Sequence, residues 1–191
     1  MLEVQQVGIK IEKHWLIRNI SLKLPKNKFI VLIGPNGAGK TTLLKLLAGL
    51  WQPTEGKVIL NRNNLYQFKR TELAKLITFI PQNSNINFAF TVKDIVMMGR
   101  NPHIRRFQPV TGLEHVKQAM QKTDISHLAE RLVTTLSGGE MQRVIIARSL
   151  ATQANIVLLD EPTASLDISH TIEILELLQE LVTENHTIIL S

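Results

Sequence analysis

No cysteine occurs among the 191 residues, so a disulfide framework and a thiolate metal site are both excluded. No uninterrupted apolar run approaches the ~20 residues that a membrane-spanning helix needs. The opening MLEVQQVGIKIEKHW has neither the apolar core nor the cleavage site of a secretory leader. Internal repeats and low-complexity stretches are also missing. The six histidines, at 14, 103, 115, 127, 170 and 186, show no H-E-x-x-H or comparable ligand spacing. The formal charge is +6, yet Lys and Arg are scattered and form no basic block. That surplus suits an anionic partner such as a nucleotide, acidic headgroups or nucleic acid, and equally a merely basic surface. What remains is a chain expected in the cytosol or at a membrane surface. With 44% hydrophobic and 20% charged residues, it has the length for one domain with a full core and not for two large ones.

What is present is centred on Gly34–Thr42, GPNGAGKTT. The stretch fits G-x-x-x-x-G-K-[ST], and it fits in the required context of strand before and helix after. Phe29, Ile30, Val31, Leu32 and Ile33 form a continuous apolar run, which predicts a parallel strand buried on both faces. Leu43, Leu44, Leu46, Leu47 and Leu50 recur at helical spacing, which predicts a helix starting near Lys40. Gly34, Gly37 and Gly39 let the backbone turn its N–H groups inward, so that they and the positive end of the helix make an anion cradle. Lys40 can reach β- and γ-phosphates, and the Thr41 hydroxyl can ligate Mg²⁺.

Around this stretch the pattern predicts an α/β body. Val7, Ile9 and Ile11, then Ile20, Leu22 and Leu24, alternate as strands, with a turn at Pro25–Asn27. Pro53–Gly56 turns into a strand over Lys57–Leu60; Thr71–Leu76 is a predicted helix and Ile77–Ile80 a buried strand. From about 83 to 135 helices are predicted at Val92–Met98, Gly112–Lys122 and Ser126–Glu130, with Pro102 and Pro109 in loops, as a helical insertion. Gly138–Thr152 is a predicted helix with a stripe of Val144, Ile145, Ala147 and Leu150 beside Arg143 and Arg148. A strand over Ile156–Leu159, an amphipathic helix over Ser169–Thr183 and a strand from Thr187 to Leu190 complete the chain.

Two further constellations stand out. Ile156–Leu159 ends in Asp160 and Glu161, delivering two carboxylates to the C-terminal edge of a parallel sheet, where ligands bind. Beside a phosphate loop, the first suits a Mg²⁺ shell and the second suits holding an attacking water. In Leu136-Ser137-Gly138-Gly139-Glu140, Ser137 suits an N-cap, and the two glycines leave first-turn N–H groups open to a close ligand. This is either a second anion site or an ordinary capped helix start.

Taken together, these motifs resemble the nucleotide-binding subunit of an ABC transporter. Gly34–Thr41 is similar to the Walker A motif, Gln82 to the Q-loop, Leu136–Glu140 to the signature, Ile156–Glu161 to Walker B and Ala164-Ser165-Leu166-Asp167 to the D-loop. The resemblance implies a P-loop NTPase with a mainly parallel core sheet, antiparallel N-terminal strands and a helical subdomain. Its RecA-like core would be about 1–82 and 136–191, with the helical part about 83–135. It implies that Gly34, Pro35, Asn36, Gly37, Ala38, Gly39, Lys40, Thr41 and Thr42 hold the phosphates of ATP. Thr41, Gln82 and Asp160 would serve Mg²⁺, directly or through water, with Gln82 also at the hinge to the helical part. Glu161 would be the general base. Ser137 and Gly139 would contact ATP held by a second copy, so that a homodimer sandwiches two nucleotides head to tail, with Asp167 at the interface. The implied partners are transmembrane permease subunits with a substrate-binding protein, and no nucleic acid. The implied location is peripheral, on the cytoplasmic face of the inner membrane.

Two departures from the family pattern are visible. The aromatic residue that stacks on adenine falls on Ile11, which leaves Ile11 or Trp15 for that contact. The family's switch histidine would follow Ser191 by about two residues, and His186 precedes the last strand, so the sequence is expected to be C-terminally truncated. Thr91–Arg100 with Pro102-His103 resembles importers of iron-siderophore, haem and cobalamin. Against this stand a soluble ATPase acting on ribosomes or DNA, and an ATP-binding module without turnover.

Overall fold

The computed structural model describes residues 1–83, 86, 88–104, 112–164 and 166–191. Pro109 and Ser165 lie outside the described residues. The first sheet is antiparallel and built from β1 (Leu2–Ile11), β2 (His14–Leu24), β4 (Glu55–Leu60) and β5 (Asn63–Asn64), in the order β2-β1-β4-β5. The second is parallel and joins β3 (Phe29–Val31), β6 (Ile77–Ile80), β7 (Ile156–Leu159) and β8 (Thr187–Leu190), in the order β3-β8-β7-β6. The short apolar runs therefore pair in parallel, and the alternating N-terminal ones form the antiparallel hairpin.

Helix α1 (Lys40–Leu47) buries Leu43, Leu44, Leu46 and Leu47 against the antiparallel sheet and the inner faces of β3 and β7. It stops before Leu50, which is exposed. Helix α2 spans only Arg70–Leu73, because the next residues close i→i+3 bonds, Lys75 N to Glu72 O and Leu76 N to Leu73 O. Helices α3 (Val92–Met98) and α4 (Leu113–Lys122) pack with α5 (Gly138–Ala151) around Ile95, Val96, Val116 and Val144. Residues Ser126–Leu128 form a single 3-10 turn rather than a helix to Glu130.

Two expectations need correction. The strand over Phe29–Ile33 is not buried on both faces: Val31 is 49% and Ile33 93% exposed. Alternation puts Phe29, Val31 and Ile33 on one face, where α6 (Ile168–Thr183) and its neighbours cover Phe29 alone. β3 also stands at the end of the sheet order, with one strand partner among the described residues. Nor does α5 carry an apolar stripe. Val144, Ile145, Ile146 and Ala147 are all fully buried, since α5 is wedged between the α3–α4 pair and the parallel sheet. Burial pulls the Arg148 guanidinium on this helix below its ordinary pKa.

Candidate functional site

β3 delivers the chain into the glycine loop. Gly37 (φ +81°) and Gly39 (φ +90°) take left-handed conformations that side chains rarely adopt. A Cβ on Gly39 would also stand 2.3 Å from Ile17 Cγ2, so the loop is pressed against β2. α1 then begins with no side-chain cap and no acidic residue in its first turn, which leaves its positive end free for an anion. The Lys40 ammonium donates to Gly34 O at 2.9 Å and to Pro35 O at 3.2 Å, folded over the loop it would share with a phosphate.

β7 runs between β6 and β8 and is followed directly by Asp160, which is 3% exposed. One oxygen of this carboxylate accepts from Thr41 Oγ1 at 2.9 Å and from Ser191 Oγ at 2.9 Å. The next residue, Glu161, sits at φ +46°, a strained backbone for a residue with a side chain. Its carboxylate accepts from Gln82 Nε2 at 2.5 Å; Gln82 follows the end of β6. An open cleft of about 480 Å³ brings Asn36, Gly37, Gly39, Lys40, Thr41 and Thr42 together with Gln82 and Glu161. Gly34, Pro35 and Ala38 shape the loop without lining this cleft. Among the described residues no cluster of three or more His, Cys, Asp or Glu forms a metal cage. The Thr41 hydroxyl and the Gln82 carboxamide at the cleft, with the buried Asp160 carboxylate hydrogen-bonded to Thr41, are instead a sparse oxygen set that suits Mg²⁺, which retains several waters.

Leu16 of β2 also lines the cleft and was not anticipated. The signal was its place on the strand, an apolar residue on the face opposite Trp15 and Ile17. Trp15, expected as a stacking substitute, is not part of the described lining. Its ring lies across Gly8, where a Cβ would be 2.8 Å from Cζ3. Lys10 Nζ and Arg18 Cζ stand 5.5 and 4.9 Å from the ring centroid. Ile11 is half exposed at the end of β1. His186 precedes β8, at the end of the sheet away from Asp160, and burial lowers its pKa.

Ser137, Gly138 and Gly139 are not among the residues that line this cleft. Ser137 caps α5 through a reciprocal pair: its hydroxyl accepts from Glu140 N at 3.2 Å and its N–H donates to Glu140 Oε2 at 2.7 Å. That backbone bond, with a smaller push the other way from burial, holds the Glu140 carboxyl below its usual range. Only one of the two glycines is open. Gly138 is exposed, whereas Gly139 is buried, and a Cβ on it would stand 2.5 Å from His170 Cδ2. Asp167 caps α6, accepting from His170 N at 2.9 Å, and its carboxyl is held low mainly by that bond.

A family model for ABC transporters matches residues 17–164. The hemin import ATP-binding protein HmuV of Gloeobacter violaceus is 42% identical over 177 residues, covering 89% of this chain and 64% of that protein. The ferric enterobactin transport ATP-binding protein FepC of Escherichia coli is 41% identical over 189 residues, covering 96% of this chain and 68% of that protein. The chain thus spans about two thirds of these relatives' length. Among solved structures, an inward-facing metal-chelate type ABC transporter superimposes with a TM-score of 0.85 at 34% identity, covering 99% of this chain and 71% of that one.

Proposed function

Because the chain belongs to the ABC transporter family, we propose that it binds and hydrolyses ATP as the power subunit of an importer for an iron-siderophore, haem or cobalamin. The carrying observation is that one cleft joins the glycine loop to Asp160 through the Thr41 hydroxyl, and Gln82 to Glu161. The loop N–H groups, the start of α1 and Lys40 bind and orient the phosphates. Thr41, Asp160 and Gln82 would hold Mg²⁺, which when bound neutralises charge on the β- and γ-phosphates. Glu161 orients water in line with the γ-phosphorus and accepts its proton as ADP leaves. For that, the Gln82 amide has to release the carboxylate it holds in this conformation. Leu16 supplies an apolar wall on the side where the base would lie.

The same reading pairs two copies head to tail, each offering Ser137 and the start of α5 to the other's ATP. It seats the pair peripherally on permease subunits at the cytoplasmic face of the membrane, with a substrate-binding protein in the complex. No described helix is long and apolar enough to cross a membrane. The relatives' named cargoes, hemin and ferric enterobactin, favour the iron-chelate class. The test is steady-state ATP turnover beside nucleotide titration for the wild type and Glu161→Gln. Turnover is expected to fall at least about 100-fold, with ATP affinity kept within a few-fold. Equal turnover would sink the assignment of the base.

A further inference from the structure

We propose that His170 is a positioning residue that ties the Asp167 turn to the Ser137–Gly139 segment and thereby sets how tightly a second copy of this chain is held across ATP. The inference rests on the head-to-tail reading above. His170 lies in the first turn of α6, and its Nδ1 stands 2.8 and 2.9 Å from the two Asp167 oxygens. A carboxylate only accepts, so Nδ1 carries the proton and the ring plane is fixed. The fixed ring then lies on Gly139: the three atoms nearest a Cβ there would be His170 Cδ2 at 2.5 Å, Cγ at 3.1 Å and Nε2 at 3.1 Å. Leu166 stands beneath Gly138 in the same way, its Cδ2 3.8 Å from where a Cβ would be. About one turn along, Arg143 of α5 donates to Glu173 of α6 at 2.6 Å, so the two helices are joined at two levels.

The His170–Asp167 pair is exposed, with 45% and 66% of the side-chain surfaces accessible. Exposed pairs contribute little to fold stability, so stability alone does not explain this one. What it does fix is the relation between two segments that both face the partner. If Gly139 and Ser137 shift relative to Asp167, each segment can still meet the second copy, but not both in one approach. Gly139 has to be glycine here for a local reason, the imidazole pressed upon it, as well as for any closeness to phosphate.

The test uses the full chain in the Glu161→Gln background, with dimerisation followed by analytical ultracentrifugation in ATP and Mg²⁺. His170→Ala and His170→Phe are each expected to weaken ATP-dependent dimerisation by at least about tenfold. Binding of ATP to the dilute monomer should stay within about twofold. Phe retains a ring against Gly139 and has no N–H for Asp167, so a His170→Phe chain that dimerises normally overturns the proposal. Loss of monomer ATP affinity in step with dimerisation overturns it as well. If the chain with His170 intact stays monomeric in ATP, the head-to-tail reading itself fails and takes this inference with it. A second arm needs no dimer. Gly139→Ala should lower the melting temperature less in a His170→Ala background than in the wild type, and equal losses would refute the contact.

Discussion

At the scale of single residues, the loop's three glycines make separable demands. Gly39 needs both a left-handed backbone and the absence of a Cβ, since Ile17 Cγ2 would be 2.3 Å away and Leu16 O 3.1 Å. Gly37 needs only the backbone, with nothing within 4 Å of a Cβ. Gly34 needs neither strictly, its nearest neighbour being Ala38 Cβ at 3.4 Å. A left-handed non-glycine residue costs roughly 1–2 kcal/mol and forced overlap in a packed site about 1–3 kcal/mol more. Urea denaturation of the three Gly→Ala variants should therefore rank the losses Gly39 above Gly37 above Gly34, and equal midpoints would refute this account. The motif made Lys40, Thr41, Asp160 and Glu161 legible in the sequence, because their spacing along the chain is what the chemistry requires. Leu16, Ser191 and His170 were not legible. Each acquires its role by approach across the fold, Ser191 by donating to Asp160 and His170 by covering Gly139.

Elements were read best where periodicity and burial agree. The bounds of α3 and β6 match the expectation, and α1 starts at Lys40 as the leucine spacing requires. α5 was misread because a stripe assumes one buried face, and this helix serves two clusters at once. Its start, and that of α3, carry reciprocal caps: Thr91 with Asp94 and Ser137 with Glu140. Hydrogen bonds from Thr91, side chain first, depress the Asp94 carboxyl, as the Ser137 backbone depresses Glu140. A carboxyl depressed in the folded state adds stability above its unfolded pKa and loses it as pH falls through the folded value. The unfolded references are 3.8 for Asp94 and 4.5 for Glu140, so the loss begins below about pH 5. Asp94 is exposed and Glu140 about a third accessible, so the effect is modest and screened by salt. Glu140→Gln keeps an acceptor for Ser137 N without the titration. Chemical denaturation from pH 6 to pH 3 should give a shallower decline for this variant than for wild type, and parallel curves would contradict it.

For the whole molecule, the cleft joins parts that belong to different cores. The glycine loop is anchored by α1 in the cluster shared with the antiparallel sheet, whereas Ile80 and Leu159, which precede Gln82 and Asp160, lie in the cluster with α6. The division into a parallel sheet, an antiparallel sheet and a helical insertion could be read from runs, alternation and turn residues. The seam between the clusters could not, because it depends on which faces meet. A ligand that spans the seam should stabilise both sides together. ATP with Mg²⁺ at about 100 times its Kd should stabilise the chain by roughly 2.7 kcal/mol if it binds only the folded form. That gain should appear as one shifted unfolding transition, because the loop and Glu161 line one cleft and Asp160 is hydrogen-bonded to Thr41 of that loop. Asp160→Asn separates the ion from the fold. Its carboxamide oxygen can still accept from Thr41 and Ser191, while the charge that would attract the cation is gone. The variant should therefore unfold close to wild type without nucleotide and lose the difference between ATP with Mg²⁺ and ATP with a chelator. If that difference persists in Asp160→Asn, the cation is held elsewhere. If ATP splits the transition in two, the loop and the carboxylates do not share one ligand.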